Sequence, residues 1–184
     1  MPRKPLLHRD VAALELIVPF PATTAEIGPA AEWTRVEREL GIRLPSDYKC
    51  LIDSYGSGSF GDFLYPLTPF AVSEYGNFLK RAKAILEAER SSGMWRDQGV
   101  PFSLYPDTSG LFPWAVTDNG NTLYWYTHGP ADHWPVVVQE GRGFRFEVFQ
   151  RTAAGFVRLW LTGQLSVGVF PAGPFERSFR PTSG

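Results

Sequence analysis

The chain predicts a single α+β domain, with a mainly antiparallel sheet of about four to six strands flanked by helices. Three observations carry this. Segments with helical apolar spacing come early, short aromatic and β-branched segments broken by turn residues fill the second half, and a further helical segment closes it. Helices, then strands, then a helix is the order of an α+β fold and not the strand–helix alternation of a doubly wound sheet. At 184 residues the chain can bury one good core, and 43% hydrophobic with 20% charged residues is a globular composition that argues against disorder.

Each element has its own warrant. In "EIGPAAEWTRVERELGIRLP" a helix is expected from Pro29 to Leu40, since Trp33, Val36, Glu37 and Leu40 follow i, i+3, i+4, i+7 spacing and Gly41 supplies the stop. In "LPSDYKCLIDSYG" Ser46 reads as the N-cap and Asp47 suits the positive end of the helix. Tyr48, Leu51, Ile52 and Tyr55 form the apolar stripe, and Gly56 is expected as a left-handed C-cap. "FGDFLYPL" reads as a strand. A longer helix is expected from Ser73 to about Arg90, with Phe78, Leu79, Ala82, Ile85 and Leu86 on one side, and "RSSGMWRDQGVP" as the loop that ends it. "FSLYP", "LFPWAVT" and "NTLYWYT" read as strands, the last two joined at Asn119-Gly120, where both residues tolerate positive φ. "WPVVVQE" and "FRFEVF", divided by Gly141-Arg142-Gly143, make a second antiparallel pair. A last helix opens near Thr152, carries Phe156, Leu159 and Trp160, and stops at Gly163. The Pro- and Gly-rich tail, 166–184, is expected to lie along the body.

Most chemistries are excluded by context. Gly56-x-Gly58-x-x-Gly61 in "YGSGSFGDF" has the spacing of a nucleotide-binding fingerprint, but that motif needs a strand before the glycines and a helix beginning at them. Here the order is reversed, and no cofactor is expected. His128, Asp132 and His133 in "YTHGPADHW" offer too few ligands and read as a turn, so no metal is expected. Cys50 sits inside a predicted helix as a small packing residue. No spacing specifies paired catalytic carboxylates, and no enzyme is expected. One cysteine rules out an internal disulfide framework. No apolar run approaches membrane-spanning length, and "MPRKPLLHRD" lacks the pattern of a secretory leader, so the expected location is cytoplasmic. The 14 Arg against 4 Lys suit a GC-rich bacterial genome.

The net charge of −1 conceals a pattern. From Asp97 to Gly141 there is no Lys or Arg, only Asp97, Asp107, Asp118, Asp132 and Glu140; residues 44–79 are also acidic, while 80–96 and 142–184 are basic. Such segments are either ordinary solvated loops or one acidic face for a basic partner. The aromatic strands lie in the acidic part, which speaks against direct nucleic-acid binding. Trp33, Trp114, Trp125, Trp134 and Trp160 fit the apolar period of their elements. Trp95, in "SGMWRDQG", reads as an interface anchor or as a plug beneath a loop.

Leu40-Gly41-Ile42-Arg43-Leu44-Pro45-Ser46-Asp47-Tyr48-Lys49 followed by Tyr55-Gly56-Ser57-Gly58 resembles the SUKH superfamily, which includes cell-wall-assembly regulators and many bacterial immunity proteins. Two further blocks, "LFPWAVTDNGNTLYWYTHGPADHWPVVVQ" and "FVRLWLTGQL", resemble the family in the same order. The resemblance implies a non-catalytic α+β binding domain at 29–165, between an N-terminal extension (1–28) and the tail. It gives an architectural role to Pro45, Ser46, Asp47, Tyr48, Gly56, Gly58, Trp114, Asn119, Gly120 and Trp125. It also implies a protein partner, a toxin domain such as a nuclease that the chain neutralises, or alternatively a regulatory partner with no toxin involved. Candidate contacts are Asp62, Trp95, Asp97, Asp107, Asp118, Asp132 and His133.

Overall fold

The computed structural model describes residues 7–93, 95 and 99–182. Among them are five α-helices and eight strands, an α+β fold in one sheet. The helices are α1 (Arg9–Glu15), α2 (Ala30–Leu40), α3 (Ser46–Tyr55), α4 (Phe78–Ser91) and α5 (Ala153–Leu161). The strands are β1 (Gly58–Phe60), β2 (Leu64–Pro66), β3 (Ser103–Leu104), β4 (Gly110–Thr117), β5 (Thr122–Tyr126), β6 (Val136–Gln139), β7 (Phe146–Phe149) and β8 (Phe179–Pro181). The spatial order is β7-β6-β5-β4-β2-β1-β8, antiparallel throughout, and β3 adds a short parallel pairing to β4.

Aromatic packing joins helices to sheet. Tyr48 of α3 meets Trp125 of β5 edge-on at 4.9 Å between centroids, and Phe78 of α4 reaches Tyr48, Phe112 and Trp125. Trp114 stacks on Trp125 at 5.8 Å with an 18° interplanar angle. All five of these rings' residues except Phe112 are at most 1% exposed, so their burial stabilises by about 2 kcal/mol each. Helices α1, α3 and α5 pack on one another, and Phe149 of β7 meets Phe156 of α5.

Several expectations need correction. The strands number eight, more than the four to six anticipated, partly because "FGDFLYPL" is not one strand but the hairpin β1–β2. Gly61 (φ 58°) and Asp62 (φ 52°) both hold positive φ in its three-residue turn, 61–63, and the Phe63 N–H bonds the Phe60 carbonyl at 3.1 Å. Asn119-Gly120 does turn the expected hairpin between β4 and β5, but only Gly120 has positive φ (87°), and the loop, 118–120, is closed by the Thr117 N–H on the Asn121 carbonyl. Helix α4 starts at Phe78 and not at Ser73, because Asn77 caps it by accepting from the Lys80 N–H at 3.2 Å. Helix α1 was not anticipated; its apolar contacts are few, Val11 and Leu14, and its cap is His8, whose ring accepts from the Asp10 N–H.

Gly56 ends α3 at φ 76°, ψ −154°, which is outside the left-handed helical well and in a region only glycine visits. A Cβ there would lie 2.3 Å from the Ala25 carbonyl oxygen, whose partner is the Ser57 N–H at 3.0 Å. Gly58 is constrained likewise, with the Arg180 carbonyl 2.3 Å from where its Cβ would be. Gly56→Ala should therefore lower stability by about 2–4 kcal/mol, more than the loss of a simple C-cap. Urea unfolding of wild type and variant checks this; a loss under about 1 kcal/mol would contradict the clash.

Candidate functional site

The shifted carboxylates are all tied to the framework. Ser46 is the first residue of α3 and not its cap: Pro45 holds the cap position and has no side-chain acceptor to offer. The cap comes from Asp132, whose Oδ1 accepts from the Ser46 N–H at 2.6 Å across 86 residues. That hydrogen bond holds the Asp132 carboxyl below the ordinary carboxylate range. Asp47 is 2% exposed and faces the start of α5, where its Oδ2 accepts from the Ala154 N–H at 2.9 Å. Burial pushes its carboxyl up. Thr152 caps α5 by accepting from the Gly155 N–H and donates its hydroxyl to Asp10 of α1 at 2.7 Å.

A groove of about 770 Å³ lies between α2, α3 and the N-terminal arm, with Phe20, Trp33, Glu37, Lys49, Cys50 and Asp53 on its walls. The Trp33 indole donates to Asp53 at 2.9 Å, and Lys49 pairs with Glu37 at 2.6 Å. Burial alone would raise Glu37, but the bonds from Lys49 and the Leu44 N–H outweigh it and hold its carboxyl low. Burial raises Asp53 and the Cys50 thiol, which keeps that thiol protonated and a poor nucleophile. This groove was missed by sequence reasoning; the only signal was that Trp33 and Asp53 lie on helices joined by a short loop.

The candidate contacts separate into two groups. At one end of the sheet, Asp62 pairs with Arg180 at 2.7 Å, and Asp118 lies beside it, its N–H on the Phe63 carbonyl. Arg142 and Arg145 occupy the neighbouring β6–β7 turn. At the other end lie exposed Asp107, Asp132 and His133; there the Thr127 N–H donates to the Gly110 carbonyl and Ser109 bonds His128 at 3.0 Å. The eight residues of β4 hold the ends about 25 Å apart, so the acids do not form one continuous face. Trp95 is half-buried: its indole donates to the Phe102 carbonyl at 2.6 Å and its ring meets Phe146 edge-on. It lines a hollow of about 470 Å³ together with Asp107 and Arg90. Asp97 falls outside the described residues. Among the described residues no cluster of three His, Cys, Asp or Glu could hold a metal ion, and no helix is long and apolar enough to cross a membrane. His128, Asp132 and His133 do not converge: Asp132 is engaged by α3 and His128 by Ser109.

A family model described as SMI1-KNR4 cell-wall (SUKH_6) matches residues 30–156. The chain belongs to the SUKH family. The matched span starts at α2 and runs through α3, the sheet to β7 and the first turns of α5, so it takes in both the Asp132 and the Asp47 caps. Members of this family are protein-binding domains and are generally non-catalytic. No curated protein and no solved structure matches the chain.

The two caps titrate with opposite signs. Asp132 is depressed, so its contribution is present above the ordinary carboxylate range and lost as pH falls through its lowered value. Asp47 is raised, so its contribution is full below that range and lost as pH rises through its raised value. Asp132→Asn should thus cost up to about 1 kcal/mol at neutral pH and nothing in strong acid. Asp47→Asn should match wild type in acid and gain on it as pH rises, while Asp47→Ala, which orphans the Ala154 N–H, should cost about 1–3 kcal/mol. Urea unfolding of the variants across pH reads these differences.

Proposed function

We propose that this SUKH protein is an immunity protein that neutralises a cognate toxin, a nuclease domain in the simplest case, by direct binding. The observation that carries the proposal is family membership combined with the placement of the acids: Asp47 is enclosed at a helix start, while Asp107 and Asp132, the latter also capping α3, stand exposed on loops. The toxin-facing surface is the sheet end formed by residues 105–109 and 127–133. Those two loops carry Asp107, Asp132 and His133 and no Lys or Arg of their own, with Arg90 reaching in to the Tyr105 carbonyl, whereas at the other end Asp62 is paired with Arg180. An acidic loop end suits the basic groove of a nucleic-acid-cleaving enzyme and accelerates its approach. The binding unit is 29–165, with 1–28 and 166–184 as its additions.

A second reading, a regulatory scaffold with no toxin partner, is favoured by the cell-wall description of the matching family model. Co-expression with a toxin domain encoded beside this gene separates the two: rescue of growth supports immunity, and failure to rescue from any adjacent toxin domain supports the scaffold. With a toxin in hand, Asp107→Lys and His133→Glu should respectively slow and hasten association, and both effects should fade as salt is raised. Association indifferent to salt and to Asp107→Lys would remove the acidic loops from the interface.

A further inference from the structure

Among the described residues strand β7 is the last strand of the sheet, with β6 on one side and no strand on the other. Its hydrogen-bonding parity is fixed by two bonds. The Glu140 N–H donates to the Arg145 carbonyl, and the Tyr126 N–H donates to the Pro135 carbonyl. With the register Val138↔Glu147 and Val136↔Phe149, residues 145, 147 and 149 bond to β6. The N–H and C=O groups of Phe146 and Val148 therefore point away from the sheet, and no backbone partner meets them among the described residues. Such an edge is a template for another strand.

What would pair with it is written in "FRFEV", 144–148. Phe144 (44%) and Val148 (48%) are exposed apolar residues on the face shared with Phe146, while Arg145 and Glu147 project from the other face, paired with each other at 3.5 Å, with Glu147 also accepting from the Gly168 N–H. The segment is self-complementary about Phe146. In an antiparallel pairing of two copies centred there, Phe144 faces Val148 of the second copy, Arg145 faces its Glu147, and Phe146 faces Phe146. Centring on Glu147 would oppose two glutamates, and centring on Val148 would oppose Arg145 to Arg151. Only the Phe146 register brings both the opposite charges and the two exposed apolar side chains together.

We propose that the protein forms a two-fold homodimer by antiparallel pairing of β7 with β7, in the register centred on Phe146, which would join two sheets into one. Each residue contacts its counterpart reciprocally, as an isologous interface demands. Exposed charge on an edge strand ordinarily guards against indiscriminate pairing; here it selects one register and one partner, a second copy of this chain.

Sedimentation of the full chain over a concentration series tests this, and a concentration-dependent dimer is expected. Val148→Pro removes an outward N–H that β6 does not use, so it should leave the circular dichroism and melting profile unchanged and give a monomer. Arg145→Glu sets glutamate against Glu147 at both symmetric pairs and should weaken dimerisation about tenfold or more. It serves as the deciding variant if Val148→Pro misfolds. A wild-type chain that stays monomeric at every concentration, or a dimer unaffected by Arg145→Glu, would overturn the proposal.

Discussion

Two helices in this protein are begun by carboxylates from elsewhere in the chain, and the rest of the fold depends on that exchange. Asp132, from the turn between β5 and β6, accepts from the first N–H of α3. Asp47, in the first turn of that same α3, accepts from the first turn of α5, 107 residues away. Asp10 of α1 then takes the hydroxyl of the residue that caps α5. Sheet, α3, α5 and α1 are thus fastened in series by groups that would otherwise be orphan donors and acceptors. Helix N-termini suit this because their free N–H groups and positive dipole favour a carboxylate even where burial disfavours it. The cost falls mainly on Asp47, the most enclosed of the three, whose carboxyl is pushed up by burial.

The aromatic core explains why those fastenings are reproducible. Tyr48 is one residue beyond Asp47, and its ring lies against Trp125 while its hydroxyl donates to the Leu67 carbonyl. The ring sets the rotation of α3, which aims Asp47 at α5 and leaves the Ser46 N–H facing Asp132. Apolar packing supplies most of the free energy, and the directional polar contacts select one arrangement among the ways the helices could be laid on the sheet.

This framework governs what is left for function. A carboxylate buried at a helix start or held in an ion pair is poorly placed to steer a partner. Asp47 belongs wholly to the interior, Asp62 is paired, and Asp132 serves two ends at once, capping α3 while standing on an exposed loop. The clustering of acids along the chain was legible; their division between the two ends of the sheet was not, because an antiparallel strand separates the residues at its two ends by its full length. Trp95 shows the same limit. Its position in a glycine-flanked loop fitted either an anchor or a plug, and its contacts with the Phe102 carbonyl and the Phe146 ring lie too far along the chain to be read from spacing.

The amino-acid sequence alone determined the α+β class, the positions of α2, α3 and α5, the strand-rich second half and the SUKH resemblance, because these rest on apolar periodicity and on motifs within a short stretch of chain. It also determined that the glycines of "YGSGSFGDF" follow a helix and so do not begin one. Tertiary structure decided what each motif residue does. Ser46 looked like a cap and is a donor to one; Gly56 looked like a left-handed stop and is a point where the Ala25 carbonyl approaches too closely for any side chain. Asn119-Gly120 turns the expected hairpin with positive φ only at Gly120, whereas Gly61-Asp62 is the pair with positive φ at both positions. In each case the deciding partner lies far along the chain or in the backbone geometry of a neighbouring strand, and local spacing carries no record of either.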